Sequence, residues 1–588
     1  TLGIEETQKN LLRLLKIGRL LTTKFCSVIT NPPYMGSSNM SVKLSDYIKM
    51  HYTNSKSDFA AVFIQRCCDM TEKGCYAALV TPQSWMFLIA FEQLRKDIIT
   101  CSSISSLIHL GTGAFDAGFG TVAFVIKKNK IEKMNGIYFD LRDGEDSTQK
   151  LKKLFDDDNK IVSNIDFLSL PNGVIAYWCS HNLHNIYINE KQIRDIFSLE
   201  CGIKNGNNDR FLRFWHEVAI DKINITNDRN ECFSNMEQGK KWFKCNKGGG
   251  YRKWYGAYEY VLNLENNANE IKTFVPASTY RLRNQQNYFW PTITWPLVSG
   301  TKYGCRYMPL DVLPDVNANI IIIQGSLEYC LMGYMNSKVF DVVLDMLNPT
   351  LAFPINTISS APYKKCIDVD IENTVKSCIE CSRADWDSYE TSWDFRVHPL
   401  AKCRYKNITS IKTAFEIWEN EANERVLKLR DNERKINRFF ISLYGLENEI
   451  SPEPNESDLS ASKPNLKRDI KSFVSYAVGC MLGRYSLDVD GLAFAGGEWD
   501  NSRYKTFIPD EDNCIPITDE EYFSDDIVAR FVEFVKTVYS ADTLEENLDF
   551  IATALGNKGD TSREVIRNYF LKDFYADHLK VYQKRPIY

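Results

Sequence analysis

The sequence predicts an α/β chain: first the C-terminal half of a doubly wound sheet, then a mixed α/β region, a helical spacer and a C-terminal α/β domain. Three observations predict it. Up to Ile126, short apolar runs alternate with helical stretches at the spacing of a doubly wound sheet. The chain has 588 residues, more than one hydrophobic core usually supports, so about three domains are expected. From Thr409 to about Tyr444 the pattern is helical and highly charged, and the plain linker Ser451-Pro452-Glu453-Pro454 follows it.

The elements follow in order. Leu11, Leu12, Leu14, Leu15, Ile17, Leu20 and Leu21 give the opening stretch an amphipathic helical pattern. Phe25 to Thr30 reads as a short buried strand. Asn31-Pro32-Pro33-Tyr34 stops it, because two consecutive prolines cannot continue a central strand. The result is a rigid loop at a strand's carboxyl end, where open α/β sheets hold their ligands. Ser57-Asp58 can cap a helix bearing Phe59, Phe63 and Ile64 on one face and ending at Lys73-Gly74. Cys75 to Pro82 is the next strand, Phe91 to Ile99 a helix and Ser106 to Leu110 a strand. After the loop from Gly111 to Gly120, Thr121 to Ile126 is the last strand of this set.

Composition narrows the class. No apolar run approaches the ~20 residues of a bilayer span. The N-terminus lacks a signal-peptide pattern and looks like the cut end of something longer. The 17 cysteines are scattered without framework spacing, as expected for reduced thiols in a cytosol. Cys378-Ile379-Glu380-Cys381 has no second pair or His at zinc spacing, so buried thiols are expected there and no metal. The net charge of −5 speaks against a simple basic DNA-coating protein, yet charge is segregated. Lys240 to Arg306 holds eleven Lys/Arg against three Asp/Glu, and Asp488 to Asp549 holds seventeen acidic residues against four basic ones. One surface for a polyanion is expected, and another that avoids it or meets a protein.

Asn-Pro-Pro-Tyr behind an apolar strand resembles the catalytic motif of the amino-group DNA methyltransferases. Adenine N6 is a poor nucleophile, because its lone pair is delocalised into the ring. The resemblance implies that the Asn31 side-chain carbonyl and the Pro32 backbone carbonyl grip both N6 hydrogens and direct the lone pair at a sulfonium methyl. Pro32 and Pro33 hold that geometry rigid, and Tyr34 stacks on a flipped-out base. Thr81-Pro82-Gln83-Ser84-Trp85 and Gly113-Ala114-Phe115-Asp116 resemble later segments of the same family. They make Phe115 the expected second stacking aromatic and Phe119 the alternative. Asn rather than Ser in first place implies adenine over cytosine-N4.

The resemblance also implies S-adenosylmethionine as methyl donor, with Asn31 beside it and the rest of its site on a glycine-rich loop upstream. Phe494-Ala495-Gly496-Gly497 is the only later candidate for that loop, and it reads as a turn. The donor-binding half is therefore expected in a missing N-terminal part or another chain, and this chain alone is not expected to methylate.

The middle resembles a target-recognition domain. Lys204 and Arg210 flank a polar Gly/Asn turn. Lys247, Arg252, Lys253 and Lys302 sit beside glycines, a setting suited to phosphate contacts. Arg281, Arg283 and Arg306 flank strand-like aromatics, where a held guanidinium can face a guanine edge.

Taken together with Asn31 to Ser37, Asp385 to Phe395 and Arg567-Asn568-Tyr569-Phe570, these segments resemble the adenine-specific methyltransferases of BREX phage-defence systems over nearly the whole chain. That implies methylation of double-stranded host DNA in a bacterial or archaeal cytoplasm, discrimination of self from phage, and other defence proteins as partners. The boundaries expected are 1–135 for the second half of the catalytic domain and 136–195 for a connecting segment. Target recognition would take 196–370, the helical spacer 371–450 and the C-terminal domain 451–588. A fused restriction–modification enzyme with an upstream nuclease, and a specificity subunit without chemistry, are the alternatives. Asn31 to Tyr34 speaks against the second.

Overall fold

The computed structural model of the chain describes residues 2–114, 118–129, 134–144, 146–156, 159–323, 328–402, 404, 407–556 and 558–585. It divides into two compact units: Thr1–Gln192 with Val342–Thr350 and Ser360–Lys364, and Ile193–Asp341 with Leu351–Ser359 and Lys365–Tyr588.

In the first unit α1 (Leu2–Thr22) leads to β1 (Phe25–Thr30), and α2 (Val42–His51) and α3 (Phe59–Met70) lead to β2 (Thr71–Pro82). Then come α4 (Glu92–Cys101), β3 (Ser103–Gly111), β4 (Thr121–Lys127), β5 (Asn135–Asp140), α5 (Ser147–Phe155), β6 (Asn159–Ser163) and α6 (His181–Asn189). Asp58 caps α3 through the Ala60 amide at 2.8 Å, as its position before the apolar face predicts. The helix stops at Met70, short of Lys73-Gly74, because Thr71 turns its hydroxyl back onto the Cys67 carbonyl at 2.7 Å. The apolar row of α1, Leu11 to Leu21, is exposed.

The sheet order is β1-β2-β4-β3-β5-β6. β1 runs parallel to β2 and β3 to β5, while β4 is antiparallel to both β2 and β3. Thr121, the first residue of β4, is opposite Pro82 on one side and Gly111 on the other. The exits of β2 and β3 and the entrance of β4 therefore share one edge, and parallel β1 delivers Asn31 to that same edge. Residues 136–195 are more than a connecting segment: they supply β5 and β6 to this sheet. Asn164 fixes them by accepting from the Ile104 amide at 2.9 Å and donating to its carbonyl at 3.1 Å.

The second unit holds two sheets. Their strands are β7 (Ser198–Cys201), β8 (Leu212–Phe214), β9 (Ile223–Asn224), β10 (Trp242–Asn246), β11 (Tyr260–Asn263), β12 (Thr292–Pro296), β13 (Arg306–Met308), β14 (Val312–Pro314) and β15 (Ala318–Ile322). One sheet has the order β14-β10-β11-β8 with β9 beside β10, and the other β13-β12-β15-β7. Helices α7 (Val369–Trp386), α8 (Ile411–Tyr444), α9 (Leu466–Met481), α10 (Ile527–Val538), α11 (Leu544–Leu555), α12 (Ser562–Tyr569) and α13 (Tyr575–Val581) follow. The charged stretch is one helix of 34 residues, ended by Gly445 at φ 68°.

The C-terminal section departs from the α/β expectation. Among the described residues no strand follows Ile322. Its apolar residues recur at helical spacing, as in the buried Ile527, Val528, Phe531, Phe534, Val535 and Val538 of α10. Asn465 and Asp526 cap α9 and α10. The Asp526 carboxylate also takes both ends of the Arg567 guanidinium at 2.7 and 2.8 Å, which anchors α12.

The glycine-rich basic stretch is fastened to the long helices. Glu433 of α8 accepts from Lys253 Nζ at 3.3 Å and from Trp254 Nε1 at 2.7 Å, all three buried. Asp385 of α7 accepts from Arg252 at 2.9 Å and from the Ser462 amide at 2.7 Å. Removing Glu433 would strand the Lys253 charge in the interior. Glu433→Ala is expected to destabilise this unit by about 3–5 kcal/mol. Lys302→Ala, which breaks a half-exposed pair with Asp458, is expected to cost less than about 1 kcal/mol. Urea unfolding followed by tryptophan fluorescence compares the two. Equal, small effects would contradict the fastening role.

Candidate active site

The loop behind β1 is held from both sides. Asn31 and Pro33 are exposed and Pro32 is buried between them. Tyr34 is half-buried and its hydroxyl donates to the Val80 carbonyl of β2 at 3.3 Å. That burial pushes the phenol pKa up. The Met35 carbonyl accepts from the Phe59 amide at 2.9 Å and the Ser37 amide donates to Ser57 at 3.1 Å, tying the loop to the start of α3. Across the edge, the Phe119 ring meets the Tyr34 ring edge-on at 5.8 Å and 69°, with 43% of Phe119 exposed. Phe115 lies outside the described residues; among the described residues Phe119 is the aromatic paired with Tyr34.

Beneath these rings lies a polar network whose members sequence reasoning did not assign. His109 of β3 is fully buried. Its Nε2 meets the Gln83 Oε1 at 2.7 Å and its Nδ1 meets the Tyr177 hydroxyl at 3.1 Å. Beside it, the carboxylate of Asp140 holds Arg142 through bonds of 2.9 and 2.7 Å, and the guanidinium lies 4.3 Å over the Trp178 ring. Burial first, then the positive charge of Arg142, lowers the His109 pKa to about 4, against the opposing pull of Asp140. The imidazole is therefore neutral. With Gln83 Oε1 as acceptor, Nε2 carries the proton and Nδ1 faces the Tyr177 hydroxyl, which also meets Asp140. Arg95, fully buried, donates to the carbonyls of Trp85 at 2.8 Å, Leu88 at 2.7 Å and Asn172 at 2.8 Å, which fixes the turn behind β2.

The expected DNA contacts divide sharply. Lys204 and Arg281 pair backbone to backbone at 2.9 and 2.7 Å and leave both side chains exposed; among the described residues no carboxylate holds either. Lys247 is half-buried, its ammonium 4.9 Å over the Tyr260 ring. Arg210 pairs with Glu270 at 2.7 Å and Lys302 with Asp458 at 2.8 Å. Arg283 donates to the Gly202 carbonyl at 3.3 Å and to the Cys201 sulfur. Three of the expected DNA contacts are engaged within the protein instead. Arg252 and Lys253 hold α7 and α8, and Arg306 is fully buried with its guanidinium on the carbonyls of Gly248 and Gly256. Lys253 and Arg306 are buried, and Arg252 is only partly exposed.

Two other sequence features find their places. Gly496 has φ +96° and a Cβ there would come 2.6 Å from that of Ala219, so Phe494 to Gly497 is a packing turn and not a donor loop. Cys378 and Cys381 are buried on α7. At the far end of β1 from Asn31, ligand atoms of Cys26, Glu72 and Cys75 lie within 4.8 Å of one another. No helix of the described residues is long and apolar enough to cross a membrane.

The model of the Eco57I restriction-modification methylase family matches residues 5–115, the stretch that carries Asn31 to Tyr34, Gln83 and His109. The adenine-specific methyltransferase PglX of Lacticaseibacillus casei (strain Zhang) is 38% identical over 99% of this chain and 50% of its own length. The chain is a homologue of the PglX adenine-specific methyltransferases. BrxX, the adenine-specific methyltransferase of Escherichia coli O9:H4 (strain HS), is 32% identical over 99% of this chain and 50% of its own. The chain thus spans about half the length of these PglX-type relatives. The type IIL restriction-modification enzyme MmeI, solved with DNA, is 11% identical and overlaps 73% of this chain and 55% of its own with a TM-score of 0.46.

The state of His109 gives a pH prediction. Its folded pKa of about 4 lies below the unfolded value near 6.5, so below that value the unfolded chain takes up the proton first. His109 contributes full stability above pH ~6.5 and loses it as pH falls toward ~4. In ring-labelled NMR spectra, with His109→Phe for assignment, its resonance should stay that of neutral imidazole from about pH 8 to about pH 5. Titration near 6.5 would contradict the burial.

Proposed function

We propose that this chain carries the catalytic loop and DNA-reading region of a site-specific DNA adenine-N6 methyltransferase of the phage-defence type. The observation that carries the reading is the edge of the first sheet. Asn31 stands exposed on a Pro-Pro loop tied to β2 and α3, with the Tyr34 and Phe119 rings beside it. Asn31 Oδ1 and the Pro32 carbonyl accept the two N6 hydrogens, and the rings face the flipped base. S-adenosylmethionine supplies the methyl group, and Asn31 adjoins it. The full methyltransferase modifies double-stranded host DNA and works with other defence proteins of a BREX system. The exposed Lys204–Arg281 pair meets the phosphate backbone.

In the full-length methyltransferase, Asn31→Ala should abolish methyl transfer and leave DNA binding unchanged, since Asn31 acts on N6 in the transition state. Tyr34→Ala and Phe119→Ala should each weaken base stacking by about 1–3 kcal/mol, read from 2-aminopurine fluorescence at the target position. Methylation by Asn31→Ala at the parent rate would defeat the proposal.

Lys204→Ala and Arg281→Ala should weaken binding to specific and scrambled duplexes alike, each lowering the salt slope by about one unit. Titrations at several salt concentrations measure this. An unchanged slope in both variants would move the phosphate-binding surface elsewhere.

A further inference from the structure

We propose that Gln83 is a positioning residue for the base-stacking aromatic: its amide, anchored on His109, seats the Gly120 end of the β3–β4 loop and so holds Phe119 against Tyr34. This rests on the reading of Tyr34 and Phe119 as walls of the adenine pocket. Three contacts carry it. The Gln83 backbone N–H donates to the Gly120 carbonyl at 3.0 Å, continuing the β2–β4 ladder one step past Pro82 and Thr121. The Gln83 side chain lies across Gly120 so closely that a Cβ on Gly120 would come 2.1 Å from Oε1. The same Oε1 accepts from His109 at 2.7 Å.

Each link then has a reason for its residue type. Gly120 is glycine because the Gln83 amide occupies the space of a side chain. Gln83 must present an acceptor, since the neutral His109 turns its only N–H toward it. His109 cannot swing away, because its other nitrogen is engaged by Tyr177, whose ring stacks on Tyr138 at 5.1 Å and 11°. Phe119 is the residue immediately before the seated glycine, so the seat fixes the ring's approach to Tyr34. A strand end that needed only core packing would be served by an apolar side chain, which carries no desolvation cost.

The test uses the full-length methyltransferase with Gln83→Ala, Gln83→Glu and His109→Phe. Gln83→Ala keeps the backbone bond to Gly120 but removes the side chain wedged between Gly120 and His109, and should raise amide hydrogen exchange across residues 118–121 by about fivefold, the factor that the lost His109–Gln83 bond is worth. Target-site 2-aminopurine emission and kcat should fall by a similar factor, while KM for DNA and the thermal midpoint stay at the parent values. Gln83→Glu keeps an acceptor oxygen for His109 and should recover most of the loss. Parent-like exchange and emission in Gln83→Ala would overturn the proposal, as would Gln83→Glu failing as badly as Gln83→Ala. If His109→Phe does not fold, the half-buried Gln83 variants decide alone. Faster exchange in Gln83→Ala beside emission that Tyr34→Ala leaves untouched would uphold the seat and overturn the pocket reading on which its function rests.

Discussion

The antiparallel course of β4 between β2 and β3 is the constraint on which the edge carrying Asn31 depends. A parallel strand there would need a crossover of about a dozen residues or more and would start at the opposite edge. Running antiparallel, β4 begins beside the ends of its two neighbours, with Thr121 opposite both Pro82 and Gly111. Phe119, two residues before β4, then meets Tyr34 of the loop that β1 supplies. Ladder hydrogen bonds, more than side-chain packing, thus bring Phe119 to Tyr34.

Much of this edge was legible in the sequence, because its signals are local. Pro32-Pro33 ends a strand wherever it stands, and the apolar runs of β1 to β4 carry their own period. His109 was not legible, because its partners Gln83 and Tyr177 lie 26 and 68 residues away and a lone His on an apolar strand looks like ordinary core. Residues 136–195 were read as a connector for a similar reason. β5 is only six residues long, and what binds it to the sheet is its ladder with β3, about thirty residues earlier, with Asn164 beyond β6 pinned to Ile104.

The basic–aromatic stretch misled for a different reason. Guanidinium and ammonium groups over aromatic faces suit a DNA cleft, and they equally suit an interior seam. Here Arg252 lies 5.2 Å over Trp386 and Lys244 4.5 Å over Trp393, and composition cannot separate the two uses. What separates them is the distant carboxylate: Asp385 for Arg252, Glu433 for Lys253 and Asp311 for Lys244. Arg306 makes the same point without a carboxylate. Like Arg95 in the first unit, it is buried by donating to backbone carbonyls, which neutralise no charge but satisfy its terminal N–H groups, while its Nε has no hydrogen-bond partner among the described residues. The Lys204–Arg281 bridge lacks such partners among the described residues, and its exposure distinguishes it from the rest.

The charges around His109 explain why the seat under Phe119 is a fixed part of the edge and not a switch. Burial and Arg142 oppose protonation, Lys150 adds to them, and Asp140 alone favours it. Asp140 is largely committed to Arg142 by two short hydrogen bonds, so its field at the imidazole is spent on a neighbour. A His left beside an uncommitted carboxylate would gain a proton near neutral pH. It would then present N–H groups on both nitrogens. Pairing Asp140 with Arg142 helps keep the imidazole neutral across the physiological range, with one nitrogen on Gln83 and the other on Tyr177. A charge state fixed in that way suits a surface that must hold a base in one geometry before any chemistry begins.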